Sequence, residues 1–506
     1  MLSASCVEAH LAQPSKRIIT RCTQEGFAAA LMKRVLLTVH KFFPEHKAGT
    51  EVLTLKVAQE LMRRSYEVLV FTASPPDLDA RHAVGETSAE YVYENVPVHS
   101  IGESLRLQGY TFEHEFKHPA IGEHFGKLLD KFKPDLLHVF HAQNLSSSII
   151  DVAVERGLPV VCSTTDFWFV CPIVQLKKPD GSVCRGPSVL AGNCLSCYTP
   201  HLIPPKGELM EKLKEKFPML GAPLDSSPMP LRRLLEGSLM TAYVSAKAPD
   251  AIAATINRPN VLREAANKTS GIMVPTQLMR DIFVENGIRS ELIHHVPFGI
   301  DSAPLIPFQR KTESERLRFG FIGTLFEHKG PDLLIKAFQA LPKDCKAELK
   351  IYGDLNQFPD YSKTLEQLRD ADSQSRDKIN FLGTFPNSQL GEILQNMDVL
   401  VVPSRWYENT PLVIQSALAS KTPLIVTNLG GMAELIRHGY NGLVFELNNV
   451  NSLQEQMQRL LSEPDLLESM KDNIAPERSI PQMVDDIESV YKGALNSGKT
   501  RDTIAS

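Results

Sequence analysis

The sequence predicts an α/β protein of two doubly wound, Rossmann-like parallel-sheet domains facing a cleft. Three observations predict it. Short apolar runs alternate with helical segments along most of the chain. The alternation occurs as two separate series of roughly one to two hundred residues each. Between them, from about 171 to 260, lies a stretch rich in Cys, Pro, Lys and Arg that has the character of an insertion. Finally, the 506 residues are 43% hydrophobic and 22% charged, an ordinary soluble composition with material for two or three cores.

The elements follow in order. Residues 1–31 lack clean periodicity and are expected to be an extended or disordered tail; they have no apolar core of a secretory signal. The first domain is expected over 32–300. Its strands are "RVLLTV" (34–39), "EVLVFT" (67–72), "DLLHVF" (135–140) and "LPVVCS" (158–163), with a helix at "TLKVAQELMRR" (54–64). The second domain is expected over 301–479. Its strands are "LRFGFIG" (317–323), "AELKIYG" (347–353), "KINFLG" (378–383), "DVLVVP" (398–403) and "TPLIVT" (422–427). Residues 496–506 are expected to be a tail.

Charge excludes some classes. A formal net charge of -5 argues against a nucleic-acid binder, which would carry a basic excess. No apolar run approaches about 20 residues, so no spanning helix is predicted.

Two motifs carry chemistry. In "TLFEHKGPDLLIKAF" (324–338) a loop leaves a strand and Pro331 suits the first position of a helix. Lys329 and Gly330 stand at that entrance, where a lysine beside free backbone N–H groups suits a phosphate. In "PSRWYENTPLVIQSALASKTPLIVTNLGGMAELI" (403–436) a strand delivers Glu408 to the carboxyl end of the sheet, where open α/β sheets bind ligands. Glu408 either accepts from two sugar hydroxyls or simply caps the helix after Pro411.

Together these stretches resemble a family of enzymes. "FFPEHKAGTEVLTLKVAQELMRRSYEVLVFT" (42–72), "PDLLHVFH" (134–141), "PFGID" (297–301), "FIGTLFEHKGPDLLIKAF" (321–338) and the 403–436 segment fall in the order found in glycosyltransferase family four, the retaining GT-B group. The resemblance covers about residues 32–495. It implies transfer of a sugar from a nucleotide diphosphate sugar to a glycan, a lipid-linked acceptor or a small molecule, with no metal needed for catalysis. It also implies a cytoplasmic protein, peripheral at the inner face of a membrane if the acceptor is lipid-linked. A C-terminal helix, here 480–495, would cross back to the first domain.

The resemblance assigns roles residue by residue. Glu408 and Lys329 would be catalytic, Glu408 at the transferred sugar and Lys329 at the diphosphate. The backbone of Asn409, Thr410, Pro411 and Leu412 would contact sugar and phosphate. Ala48, Gly49 and Thr50 would face donor and acceptor, and Asp166 would lie near the sugar. Three positions depart from the pattern. Ser416 replaces the second glutamate that binds ribose, Thr324 stands where Arg is common, and Thr165 stands where His often precedes the Asp. These departures favour a second expectation, a GT-B scaffold that binds a glycan or partner with little turnover. A sugar-nucleotide epimerase on the same fold matches the second-domain motifs less well. His138 and His141, on or after a strand, are expected to be structural.

Two features lie outside that scheme. Cys171, Cys184, Cys194 and Cys197 end in a Cys-x-x-Cys pair, a spacing that suits a structural zinc site, with unligated or redox-active thiols as the alternative. The segment "KGELMEKLKEKFPML" (206–220) places Leu209, Met210, Leu213 and Phe217 on one helical stripe, with Arg232 and Arg233 following. It suits either a surface helix packed on its own domain or a peripheral membrane contact.

Overall fold

The computed structural model describes residues 33–73, 87–202 and 229–504, without side chains at 198–202, 229–248 and 497–504. The helix expected at 206–220 and the tail expected at 1–31 lie outside the described residues, as do the side chains of Arg232 and Arg233.

Two sheets form the frame. The first contains β1 (Arg34–Val39), β2 (Glu67–Ala73), β3 (Ser88–Tyr93), β4 (Val96–Ile101), β5 (Leu136–Val139), β6 (Val160–Ser163), β7 (Gly271–Val274) and β8 (Ile293–His295). Their order is β3-β4-β2-β1-β5-β6-β7-β8. All pairings are parallel except β3 with β4. The second sheet contains β9 (Leu317–Ile322), β10 (Ala347–Tyr352), β11 (Ile379–Phe381), β12 (Val399–Val402), β13 (Leu424–Thr427) and β14 (Gly442–Phe445). It is parallel throughout, in the order β11-β10-β9-β12-β13-β14. Strands such as β12 and β13 are buried along their whole length, as Val, Ile and Leu runs covered on both faces must be.

This order positions the site. Strand order reverses between β1 and β5 in the first sheet and between β9 and β12 in the second. Loops leaving the carboxyl ends of such strands diverge and open a crevice. Lys329 follows β9 and Glu408 follows β12, so both sit at one switch point.

The chain crosses between the sheets twice, side by side. The Ile300 amide donates to the Arg478 carbonyl at 2.9 Å, and Ile300 pairs with Ser479 in a parallel bridge. A Cβ on Gly299 would fall 2.3 Å from the Ser479 carbonyl oxygen, so only glycine lets the two crossings approach this closely. The returning helix, Ile480–Ile504, buries Ile480, Met483, Val484, Ile487, Val490 and Tyr491 in the core beside β1 and β2. That spacing is one face of a helix. The helix runs past the expected end at 495. Beyond Leu495 the apolar periodicity of the sequence fades, yet the helix continues to Ile504, into the expected tail. Similarly, the helix Met229–Lys268 carries the insertion beyond 260, almost to β7.

His138 is structural, as expected. Its Nδ1 lies 2.6 Å from the Tyr491 hydroxyl and its Nε2 lies 2.8 Å from Ser163 Oγ. Burial pushes it down to about 3 from an ordinary 6.5. Folding therefore excludes a proton that the unfolded chain binds below about 6.5. The contribution of His138 to stability is at its best above that pH and falls as pH drops toward 3. Denaturant midpoints measured from pH 7 to pH 4 should decline, and His138→Gln should flatten the decline.

Candidate active site

The second-domain wall is built by two loops locked together. The Arg405 guanidinium, in the loop after β12, grips both carboxylate oxygens of Asp332 at 2.8 Å. Asp332 lies in the first turn of the helix Pro331–Gln339 that follows the Lys329 loop. Arg405 also donates to the Glu327 carbonyl and to Asn448 Oδ1, and Tyr361 donates to Asp332. Bidentate charge-assisted bonds of this kind fix geometry strongly. Gly330 completes the junction. Its φ is 70°, and a Cβ there would lie 2.1 Å from the Pro403 carbonyl oxygen. Sequence reasoning missed the Arg405–Asp332 clamp. Its partners are 73 residues apart, and an Asp in a helix's first turn looks like ordinary charge complementarity.

Lys329 and Glu408, singled out separately, meet. Lys329 Nζ lies 2.5 Å from Glu408 Oε1. Ser404 Oγ and Trp406 Nε1 donate to the same oxygen at 2.8 and 2.9 Å. The ammonium also sits 5.2 Å from the centre of the Trp406 ring. Burial pushes the Glu408 carboxyl up, but the Lys329 charge and the three hydrogen bonds outweigh it, so the carboxyl is held below its usual range. Burial, and then the Lys329 charge, push neighbouring His328 down to about 4. The helix Leu412–Ala419 begins after Pro411, which is its cap residue rather than its first turn. Glu408 therefore does not cap this helix; its carboxylate turns to Lys329 instead.

The first-domain wall closes on the same point. Asn409 Nδ2 donates to the Thr165 carbonyl at 2.9 Å, across the cleft. Thr50 Oγ1 donates to Thr165 Oγ1 at 2.9 Å. Leu412 faces Gly49, with 3.7 Å between its Cδ1 and the position of a Cβ on that glycine. Thr410 turns its hydroxyl to the Asn409 carbonyl. So Gly49, Thr50, Thr165, Asn409 and Leu412 come together, and the Thr165 carbonyl bridges the walls at the position where the family pattern often has a histidine. Thr324 is half-buried at the exit of β9, and its carbonyl accepts from the Phe326 amide. Ser416 is one turn into its helix and 9% exposed. Neighbouring Gln415 instead donates to the Phe298 carbonyl.

Asp166 has a partner the sequence did not reveal. His141 Nδ1 accepts from the Gln143 amide at 3.0 Å, so the proton is on Nε2, which donates to Asp166 Oδ2 at 2.6 Å. The other carboxylate oxygen accepts from the Trp168 amide at 2.9 Å. His141 was expected to be structural; it orients a carboxylate at the cleft wall. The signal available was its position just after β5, beside the switch point.

Two family models match the chain. "Glycosyl transferases group 1" matches residues 303–476 and "Glycosyltransferase Family 4" matches residues 47–178, together more than half of the sequence. The chain belongs to this glycosyltransferase family. The two matches fall on the two walls of the cleft, one holding Lys329 and Glu408, the other Gly49, Thr50 and Asp166. Curated relatives agree with the assignment. Mannosylfructose-phosphate synthase of Agrobacterium fabrum is 30% identical over 186 residues, 34% of this chain and 40% of that protein. Alpha-D-kanosaminyltransferase of Streptomyces kanamyceticus is 25% identical over 247 residues, 46% of this chain and 62% of that protein. The chain thus spans about half the length of the curated relatives it matches. Among solved structures, a Rickettsia africae glycosyltransferase superposes with a TM-score of 0.59 at 13% identity, over 92% of this chain and 99% of that one. Anabaena HepE, in complex with UDP and glucose, gives 0.56 at 15% identity, over 90% and 99%. These likenesses establish the GT-B fold. Among the described residues no helix is long and apolar enough to cross a membrane.

Proposed function

We propose that this family member is a retaining glycosyltransferase, moving a sugar from a nucleotide diphosphate sugar to a glycan, lipid-linked or small-molecule acceptor. The observation that carries the reading is the Lys329–Glu408 pair at a switch point, facing Thr50, Thr165 and Asp166 across the cleft. Leaving-group departure puts charge on a diphosphate. Lys329 is already fixed by Glu408 and Trp406, so it meets that charge without reorganising. The N-termini of the helices after Gly330 and Pro411 add backbone donors on the same side. Glu408 presents a carboxylate to the sugar as it gains positive character. Closure of the walls excludes water and protects the donor from hydrolysis.

Retention is what the likeness to the retaining group implies. His141 and the Trp168 amide each donate to one Asp166 oxygen and so orient the carboxylate at the cleft wall. The test is the anomeric configuration of the product, followed by NMR from the first turnovers. Retention is the expected result; an inverted product would sink the reading. UDP-sugars are the first donors to try, because the HepE structures hold UDP and UDP-glucose.

The missing ribose carboxylate gives a second expectation. A hydroxyl at position 416 is a weaker partner for a diol than a carboxylate, by about 1–3 kcal/mol. Ser416→Glu should tighten donor binding by about ten- to a hundredfold, read by calorimetry. An unchanged affinity would mean that the ribose is held elsewhere.

A further inference from the structure

The insertion gathers four thiols. Cys171, Cys184, Cys194 and Cys197 all line one small cavity, with Lys177, Gly186 and Asn193. The antiparallel bridge between Lys177 and Val183 folds the chain back so that Cys184 returns to Cys171. The helix Gly192–Leu202 brings Cys194 and Cys197, three residues apart, to the same face. All four are free, without disulfides.

Cys184 and Cys194 have polar neighbours, while Cys171 also packs in the apolar core. Val174 and Leu176, in the loop between Cys171 and Cys184, take φ of 57° and 51°, a left-handed conformation that is costly for a β-branched residue such as Val174. Cys184 Sγ accepts from the Gly186 amide and from Asn193 Nδ2, each at 3.4 Å. Donors around sulfur stabilise a thiolate and orient it toward a metal.

We propose that these four cysteines bind one zinc ion in a tetrahedral structural site. Four sulfur donors favour zinc over hard cations such as magnesium. As described, the thiols are in their protonated arrangement. Cys184 donates to the Gly186 carbonyl at 3.2 Å and Cys194 to Asn193 Oδ1 at 3.6 Å, and no three ligands among the described residues stand ready around a metal position. Binding releases each thiol proton to solvent and turns these two sulfurs from their oxygen acceptors onto the ion. The ion then fixes the hairpin that carries Lys177, whose Nζ lies 3.8 Å from Glu327 beside the Lys329 loop. The site would thus brace the first domain against the loop that carries Lys329.

Metal analysis of the purified full chain tests this. One zinc per chain is expected, lost in Cys184→Ser and in Cys197→Ser and kept in Cys345→Ser, which lies in the second domain. Should the serine variants fail to fold, cobalt(II) exchanged into the wild-type chain should give thiolate-to-cobalt charge-transfer bands and the visible spectrum of a tetrahedral ion. Trace zinc after growth in zinc-supplemented medium, iron in its place, or a cobalt spectrum without thiolate bands would each overturn the proposal.

Discussion

Lys329→Ala should lower turnover by about 10²- to 10³-fold, the loss typical of removing one preorganised donor from developing charge. The fold is affected as well, because Lys329 is the counter-charge of Glu408, whose side chain is only 9% exposed. Severing a buried pair costs about 3–5 kcal/mol. The cost here should be smaller, because Ser404 and Trp406 still donate to the same oxygen. The double variant Lys329→Ala with Glu408→Gln separates the two effects. It should recover thermal stability without recovering turnover. Recovery of both would mean that the pair serves the fold alone.

Glu408→Gln alone should lower turnover by a similar factor, on the order of 10²-fold, while donor affinity changes little. An amide keeps the shape of the side chain but removes the charge that faces the sugar and holds Lys329. The leftover lysine is 23% exposed, so water partly compensates it and the fold should survive. Steady-state kinetics distinguish the roles: a fall in kcat at constant KM fits a group acting on the reacting sugar. A rise in KM alone would place Glu408 in binding only.

Much of the fold was legible because buried parallel strands are continuous apolar runs. β1, β9, β12 and β13 announce themselves in that way. The β3–β4 hairpin did not, since β3 is half-exposed along its length and its residues alternate weakly. β7 was hidden behind the long helix that ends the insertion. In the site, Lys329 and Glu408 were legible from their places beside helix starts. Their mutual contact was not, because it depends on β9 and β12 being neighbours in the sheet although they are far apart in sequence. The same is true of Arg405 with Asp332 and of His141 with Asp166. Thr165 illustrates a different limit. Its residue type departs from the family pattern, yet its carbonyl accepts from Asn409 of the other wall, and backbone contacts leave no trace in residue identity.

The proposed function requires the cleft to hold a nucleotide diphosphate sugar with its diphosphate at Lys329. Ligands that bind only the folded chain raise its unfolding temperature. The most direct measurement is therefore a thermal-shift series with UDP-, GDP- and ADP-sugars, run on the wild-type chain and on Lys329→Ala. Stabilisation of the wild type by one nucleotide class, and loss of that stabilisation in the variant, are the expected results. No shift with any donor, or an equal shift in both proteins, would contradict the proposed function.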